Sequence, residues 1–199
     1  MGSHGTGSES MRSLIEDSLN ESASVKERLK AQADIIEKIS REAVETFRRG
    51  GKIVLFGNGG SAADAQHIAC ELVGKFKLDR ESLPAIALTT NTSILTAIAN
   101  DISFEDVFLR QVQGLVTDKD LVIGISTSGE SVNVIKAVLE AKNKGAKTIG
   151  LTGGDGGKLA RVADISIIVP SKSTPRIQEA HITVGHIICE LIEKEWRVN

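Results

Sequence analysis

With 199 residues, 41% of them hydrophobic and 25% charged, the chain has the composition of an ordinary globular protein with one sizeable core. Its net charge of −2 gives no electrostatic case for nucleic acid or an anionic membrane, and an aromatic content of 3% argues against a base-stacking surface. No apolar run approaches the ~20 residues of a membrane span and no signal peptide is visible, so the expected location is cytoplasmic.

Residues 1–10 read as an expression-tag remnant, with Met11 as a native start, which sets His4 aside as a ligand; residues 11–199 are expected to form a single domain. Residues 12–49 carry a helical pattern, a short piece and then a long one. Leu29, Ala33, Ile36, Ile39, Ala43 and Phe47 recur there every three or four residues. That stripe must be buried, either on the domain or against a partner subunit. Gly50-Gly51 ends the helix, and residues 52–56 (Lys-Ile-Val-Leu-Phe) read as a buried strand. Gly57-Asn58-Gly59-Gly60-Ser61 follows, then a helix over residues 62–72 for which Ser61 is the expected N-cap. It is neither the Walker pattern nor the dinucleotide fingerprint.

From there strands and helices alternate. Strands are expected at residues 85–88, 121–125, 147–151 and 165–169. Helices are expected at 94–99, 132–144 and 175–196, with a short one after Gly157. The strands are continuous apolar runs, as expected when helices cover both faces of a parallel sheet. The fold class is therefore α/β: a doubly wound, three-layer sandwich around five parallel strands, preceded by a helical segment. Cys70 and Cys189 lie among aliphatic residues in helical patterns and read as buried thiols, not a disulfide.

Ligands of such folds sit at the carboxyl ends of the strands. Those ends are rich in glycine and hydroxyls here. Ser126, Thr127, Ser128 and Ser131 stand just ahead of a helix start, with Gly129 among them. Hydroxyls, backbone N–H groups and a helix N-terminus make a phosphate site without a lysine, so a phosphorylated small molecule is the expected ligand. His67 and Glu71 share one face of the first crossover helix, and Gln178 and His186 share one stripe of the last. Two imidazoles, a carboxylate and an amide suit proton transfer and equally suit a divalent metal. Any one of them alone is more often a packed or exposed residue, and spacing leaves both readings open.

Taken together, the glycine loop, Asp64-Ala65-Gln66-His67, Glu71-Leu72, Ser126-Thr127-Ser128-Gly129, Leu151-Thr152-Gly153, Asp155-Gly156-Gly157-Lys158 and Arg176-Ile177-Gln178-Glu179 with His186 resemble the sugar isomerase (SIS) domain family. The resemblance extends from about Met11 to the C-terminus and, within that family, is to the bacterial phosphoheptose isomerases. It implies a flavodoxin-like fold and a homotetramer with sites at subunit interfaces. The implied reaction is ketose–aldose isomerisation of sedoheptulose 7-phosphate, the first step toward nucleotide-activated heptose. It also implies zinc held by His67, Glu71, Gln178 and His186, with Glu71 and His186 as the acid–base groups. The implied substrate contacts are Asn58, Gly59, Gly60, Ser61, Asn100, Asp101, Ser126, Thr127, Ser128, Ser131, Arg176 and Gln178. No nucleic acid or membrane partner is implied.

Three positions depart from the family pattern. Glu130 stands where asparagine is usual, and its carboxylate would repel a phosphate unless turned outward. Pro175 stands where some relatives carry an acid, and Asn91 where aspartate is frequent. The alternative reading is a non-enzymatic SIS regulator that binds a sugar phosphate or the replication initiator. Such relatives keep the loops but tend to lack the helix carboxylate, so Glu71 favours the enzyme.

Overall fold

The computed structural model describes residues 10–197; the tag assignment of residues 1–9, and His4 with it, lies outside the described residues. Ser10, the last residue of that segment, accepts a hydrogen bond from the Ser13 N–H at 3.1 Å and caps the first helix. Helices α1 (Met11–Leu29) and α2 (Ala33–Arg48) are joined by one 3-10 turn, so the first helix is the longer of the two. The open question about their stripe divides between them. Ile36, Ile39, Ala43, Val44 and Phe47 of α2 are buried in the domain's own core, whereas α1 buries only Val25 and Leu29 and exposes Leu14, Ile15 and Leu19.

The sheet contains β1 (Ile53–Gly57), β2 (Ala85–Ala87), β3 (Leu121–Ile125), β4 (Lys147–Gly153) and β5 (Ile165–Val169), all parallel, in the order β2-β1-β3-β4-β5. This is the expected doubly wound topology. Alternation of side chains along β1 divides the core in two. Ile53 and Leu55 face the layer made by α1, α2, α3 (Gly60–Val73) and α8 (Thr174–Arg197). Val54 and Phe56 face the layer that includes α5 (Leu109–Leu115), α6 (Val132–Asn143) and α7 (Gly157–Val162). The central strands β1 and β3 are buried throughout, which is why they read as unbroken apolar runs.

Three expectations are corrected. Ser61 does not cap α3: Gly59, at φ +56°, is the cap residue, the helix begins at Gly60, and Ser61 is buried in its first turn. Cys70 is exposed on the outer face of α3, while Cys189 is buried as expected. A 3-10 turn at Phe104–Asp106 and helix α5 follow α4 (Thr92–Asp101), where the sequence reading assigned nothing. The pattern Phe108, Val112, Val116, one buried residue per turn, could have revealed α5; Gly114 and its seven-residue length obscured it.

Candidate active site

Helices α3 and α8 run side by side in the same direction, and glycines let them approach. A Cβ on Gly60 would collide with the Gln178 amide, and a Cβ on Gly185 would lie 2.7 Å from Cδ1 of Ile68. Immediately next to that second contact, one residue before Ile68 and one after Gly185, the helices bring their histidines together. His186 Nε2 lies 3.4 Å from His67 Nε2, and the ring planes cross at 76°. His67 Nε2 is in turn 3.1 Å from Glu71 Oε1, one turn further along α3. Three of the four residues picked out by spacing thus converge, with one ligand atom from each within 4.8 Å of the others. Two imidazole nitrogens and a carboxylate oxygen are the donor set of a three-ligand zinc site with a position left open. Gln178 lies on the same stripe of α8 but its amide packs on Gly60, toward the glycine loop.

Asp64 was not singled out as functional. It stands one turn before His67, and its buried Oδ2 has no hydrogen-bond partner. Burial raises its carboxyl to about 6, against the opposing pull of His67.

The loops are set by strand register. Gly57 pairs with Ile125 and Ile125 with Leu151, so the loops after β1, β3 and β4 open side by side. The buried Ser126 hydroxyl lies 2.8 Å from that of Ser131, the N-cap of α6, and 3.5 Å from that of Ser128. Gly129 adopts φ +68°, and a side chain there would collide with the Gly156 carbonyl. Thr127 and Ser128 border a cavity of about 210 Å³ with Gly153, Gly154 and the start of α8. Asn58 reaches across to Asn133, a buried residue of α6 that the sequence reading missed. Each amide donates to the other at 2.9 Å.

Residues 19–153 match the family model of the SIS domain. A phosphoheptose isomerase of Sulfurimonas denitrificans is 51% identical over 188 residues, which cover 93% of this chain and 96% of that one. One of Roseiflexus sp. is 54% identical over 188 residues, covering 94% and 95%. The chain belongs to the SIS-domain family, among the phosphoheptose isomerases. The solved phosphoheptose isomerase GmhA of Neisseria gonorrhoeae superposes with a TM-score of 0.89 at 40% identity, covering 93% of this chain and all of that one.

The departures from the phosphoheptose isomerase pattern have local explanations. Glu130 turns away from the serine loop. Its Oε1 accepts the Lys158 N–H at 2.8 Å, near the start of α7, and lies 3.8 Å from Arg161. Asn91 caps α4 by accepting the Ile94 N–H at 3.0 Å, a role aspartate would fill equally. Pro175 occupies the first turn of α8, where no intrahelical donor is needed. Arg176 is engaged by Glu179 at 2.6 Å and Glu21 at 3.2 Å, which clamps α1 to α8. Asn100 and Asp101 end α4 on the surface, hydrogen-bonded to each other at 2.7 Å; Asp101 borders a groove between α4 and α5. Among the described residues no helix is long and apolar enough to cross a membrane.

Proposed function

We propose that this chain isomerises sedoheptulose 7-phosphate to D-glycero-D-manno-heptose 7-phosphate through an enediolate. The observation that carries the reading is a separation. The glycine and serine loops form a hydroxyl-rich cradle at the N-terminal end of α3. The His67–Glu71–His186 trio starts seven residues further on, an advance of about 10 Å along the helix. A seven-carbon sugar with phosphate at one end is of comparable length, so a phosphate held by Ser126, Thr127, Ser128, Ser131 and the loop N–H groups brings C1 and C2 to the trio. Binding energy at the phosphate thereby positions the reacting carbons.

At the trio, Glu71 takes the proton from C1 and returns it to C2, while His186 moves the second proton from O1 to O2; bonds and charge balance with no further reactant. His67, Glu71 and His186 would hold a divalent ion, zinc by the character of the set, which would stabilise the enediolate oxygen as a Lewis acid, and Gln178 would become a fourth donor by turning its amide from Gly60 toward the trio. Asn100, Asp101 and Arg176 are kept as sugar contacts completed in a homotetramer, for which the exposed apolar residues of α1 and α4 provide surface. A cytoplasmic location accompanies this assignment.

The test is aldose formation from sedoheptulose 7-phosphate by the zinc-loaded protein, with Glu71→Gln and His186→Ala alongside. A loss of ~10²–10⁴ in kcat in both variants supports the acid–base pair. No turnover by the wild type would overturn the reading in favour of a sugar-phosphate-binding regulator.

A further inference from the structure

His186 has an aromatic neighbour that neither the sequence motifs nor the proposed chemistry uses. The Phe76 ring stacks on the His186 imidazole, with centroids 5.4 Å apart and planes 27° from parallel, on a ring that also contacts His67 edge-on. Phe76 lies in the loop after α3, which has no secondary structure of its own to fix it. The loop is fixed by Glu193, two turns beyond His186 on α8. Glu193 accepts the N–H groups of Phe76, Lys77 and Leu78 at 2.8, 2.8 and 2.9 Å, and Arg80 Nε at 3.1 Å. Arg80 continues the chain of contacts: it donates to the carbonyl oxygens of Glu71 at 2.8 Å and Leu72 at 2.9 Å. The Arg80 and Glu193 side chains are 8% and 2% exposed. One buried ion pair therefore joins the main chain of Glu71 to the helix that carries His186, and the loop between them lays an aromatic face on the His186 ring.

We infer that Phe76 is a positioning residue, held by Glu193, that fixes the His186 ring with Nε2 directed at His67 and Glu71. The inference rests on the trio being the reactive site. Carbon-backed rings have few ways to turn, and a ligand ring already aligned loses less freedom when it binds a metal or a proton donor. Removing the face while keeping bulk separates this role from simple filling. Phe76→Met keeps an apolar side chain of adaptable shape, and Phe76→Tyr keeps the ring.

Zinc affinity is measured first, by competition with a chromophoric chelator, because it does not depend on turnover. Phe76→Met is expected to bind zinc about 10-fold more weakly, with Phe76→Tyr within about two-fold of wild type. Under turnover, Phe76→Met is expected to lose about 10-fold in kcat with KM unchanged, again restored by Tyr. Equal zinc affinity in Phe76→Met and wild type overturns the inference. Should the Met variant not fold, wild type labelled with ¹³C at histidine Cε1 decides it. A ring-current-shifted His186 signal with cross-peaks to the Phe76 ring is expected, and their absence overturns the inference. If the wild type has no isomerase activity but the affinities differ as stated, the positioning role stands and only the reaction assignment falls.

Discussion

The side-chain amides of Asn58 and Asn133 face one another and exchange two hydrogen bonds of 2.9 Å, tying the glycine loop after β1 to the first turn of α6. Asn133 also accepts the Val134 N–H at 2.9 Å and is 4% exposed. Two adjacent loops, proposed above to hold one phosphate between them, are thereby kept at a fixed spacing. Asn133→Ala leaves the Asn58 amide without its partner and is expected to cost about 1–3 kcal/mol in chemical denaturation. The KM for the phosphorylated sugar should rise several-fold while kcat changes little, since the contact lies away from the trio. Unchanged KM with lowered stability would show the pair to be structural only.

Gly185 sets the spacing of α3 and α8. An added methyl would sit 2.7 and 2.8 Å from Cδ1 and Cγ1 of Ile68, and Ile68 is itself 3% exposed, with little room to yield. Gly185→Ala is therefore expected to destabilise the protein by about 1–3 kcal/mol and to weaken zinc binding by parting His186 from His67. Ile68→Val in the same chain removes the δ-methyl and should recover part of both losses. Failure of that second change to recover either would place the strain elsewhere.

The trio was legible because an i, i+4 pair and a two-turn stripe survive folding unchanged; helix periodicity alone puts His67 beside Glu71 and Gln178 on the face of His186. What sequence could not give is the pairing between helices. That depends on Gly185 meeting Ile68 and Gly60 meeting Gln178, contacts between residues more than a hundred positions apart. Asn133 and Phe76 escaped for the same reason: each acts through a partner remote in sequence, Asn58 or His186. Glu130 illustrates the converse. Its position in the serine loop suggested repulsion of phosphate, and only the placement of α7 shows where the carboxylate goes. Likewise Cys70, surrounded by apolar residues in sequence, faces outward because the helix turns it there.

Removal of the metal tests the donor set directly. Dialysis against a strong chelator is expected to abolish aldose formation, and zinc should restore it. His67→Ala, which deletes one of three clustered donors, should need far more zinc for half-restoration than the wild type. Full activity after exhaustive chelation would remove the metal from the mechanism and leave the trio as an acid–base cluster.

His181 provides a stability signal separate from the site. It is fully buried; its Nε2–H donates to the Thr152 carbonyl at 3.1 Å, and its Nδ1 has no partner. Burial lowers its pKa from 6.5 to about 4, only partly opposed by the Thr152 bond. Between those values the unfolded chain binds the extra proton and the folded chain does not. Stability from this residue is therefore complete above pH 6.5 and is lost as pH falls toward 4, by about 3 kcal/mol in all. Buried carboxylates add to acid sensitivity at a lower range. Burial raises Glu193, but the Lys77, Phe76 and Leu78 N–H groups and Arg80 outweigh it and hold the carboxyl below its ordinary value. Its contribution is thus lost only as pH falls below the ordinary glutamate range. Denaturant midpoints measured from pH 7.5 to 5 on metal-free protein should fall for the wild type and fall less for His181→Gln, whose amide can still donate to Thr152. Equal slopes for the two chains would show that His181 takes up its proton over the same pH range in the folded and unfolded states and that the acid sensitivity arises from other groups.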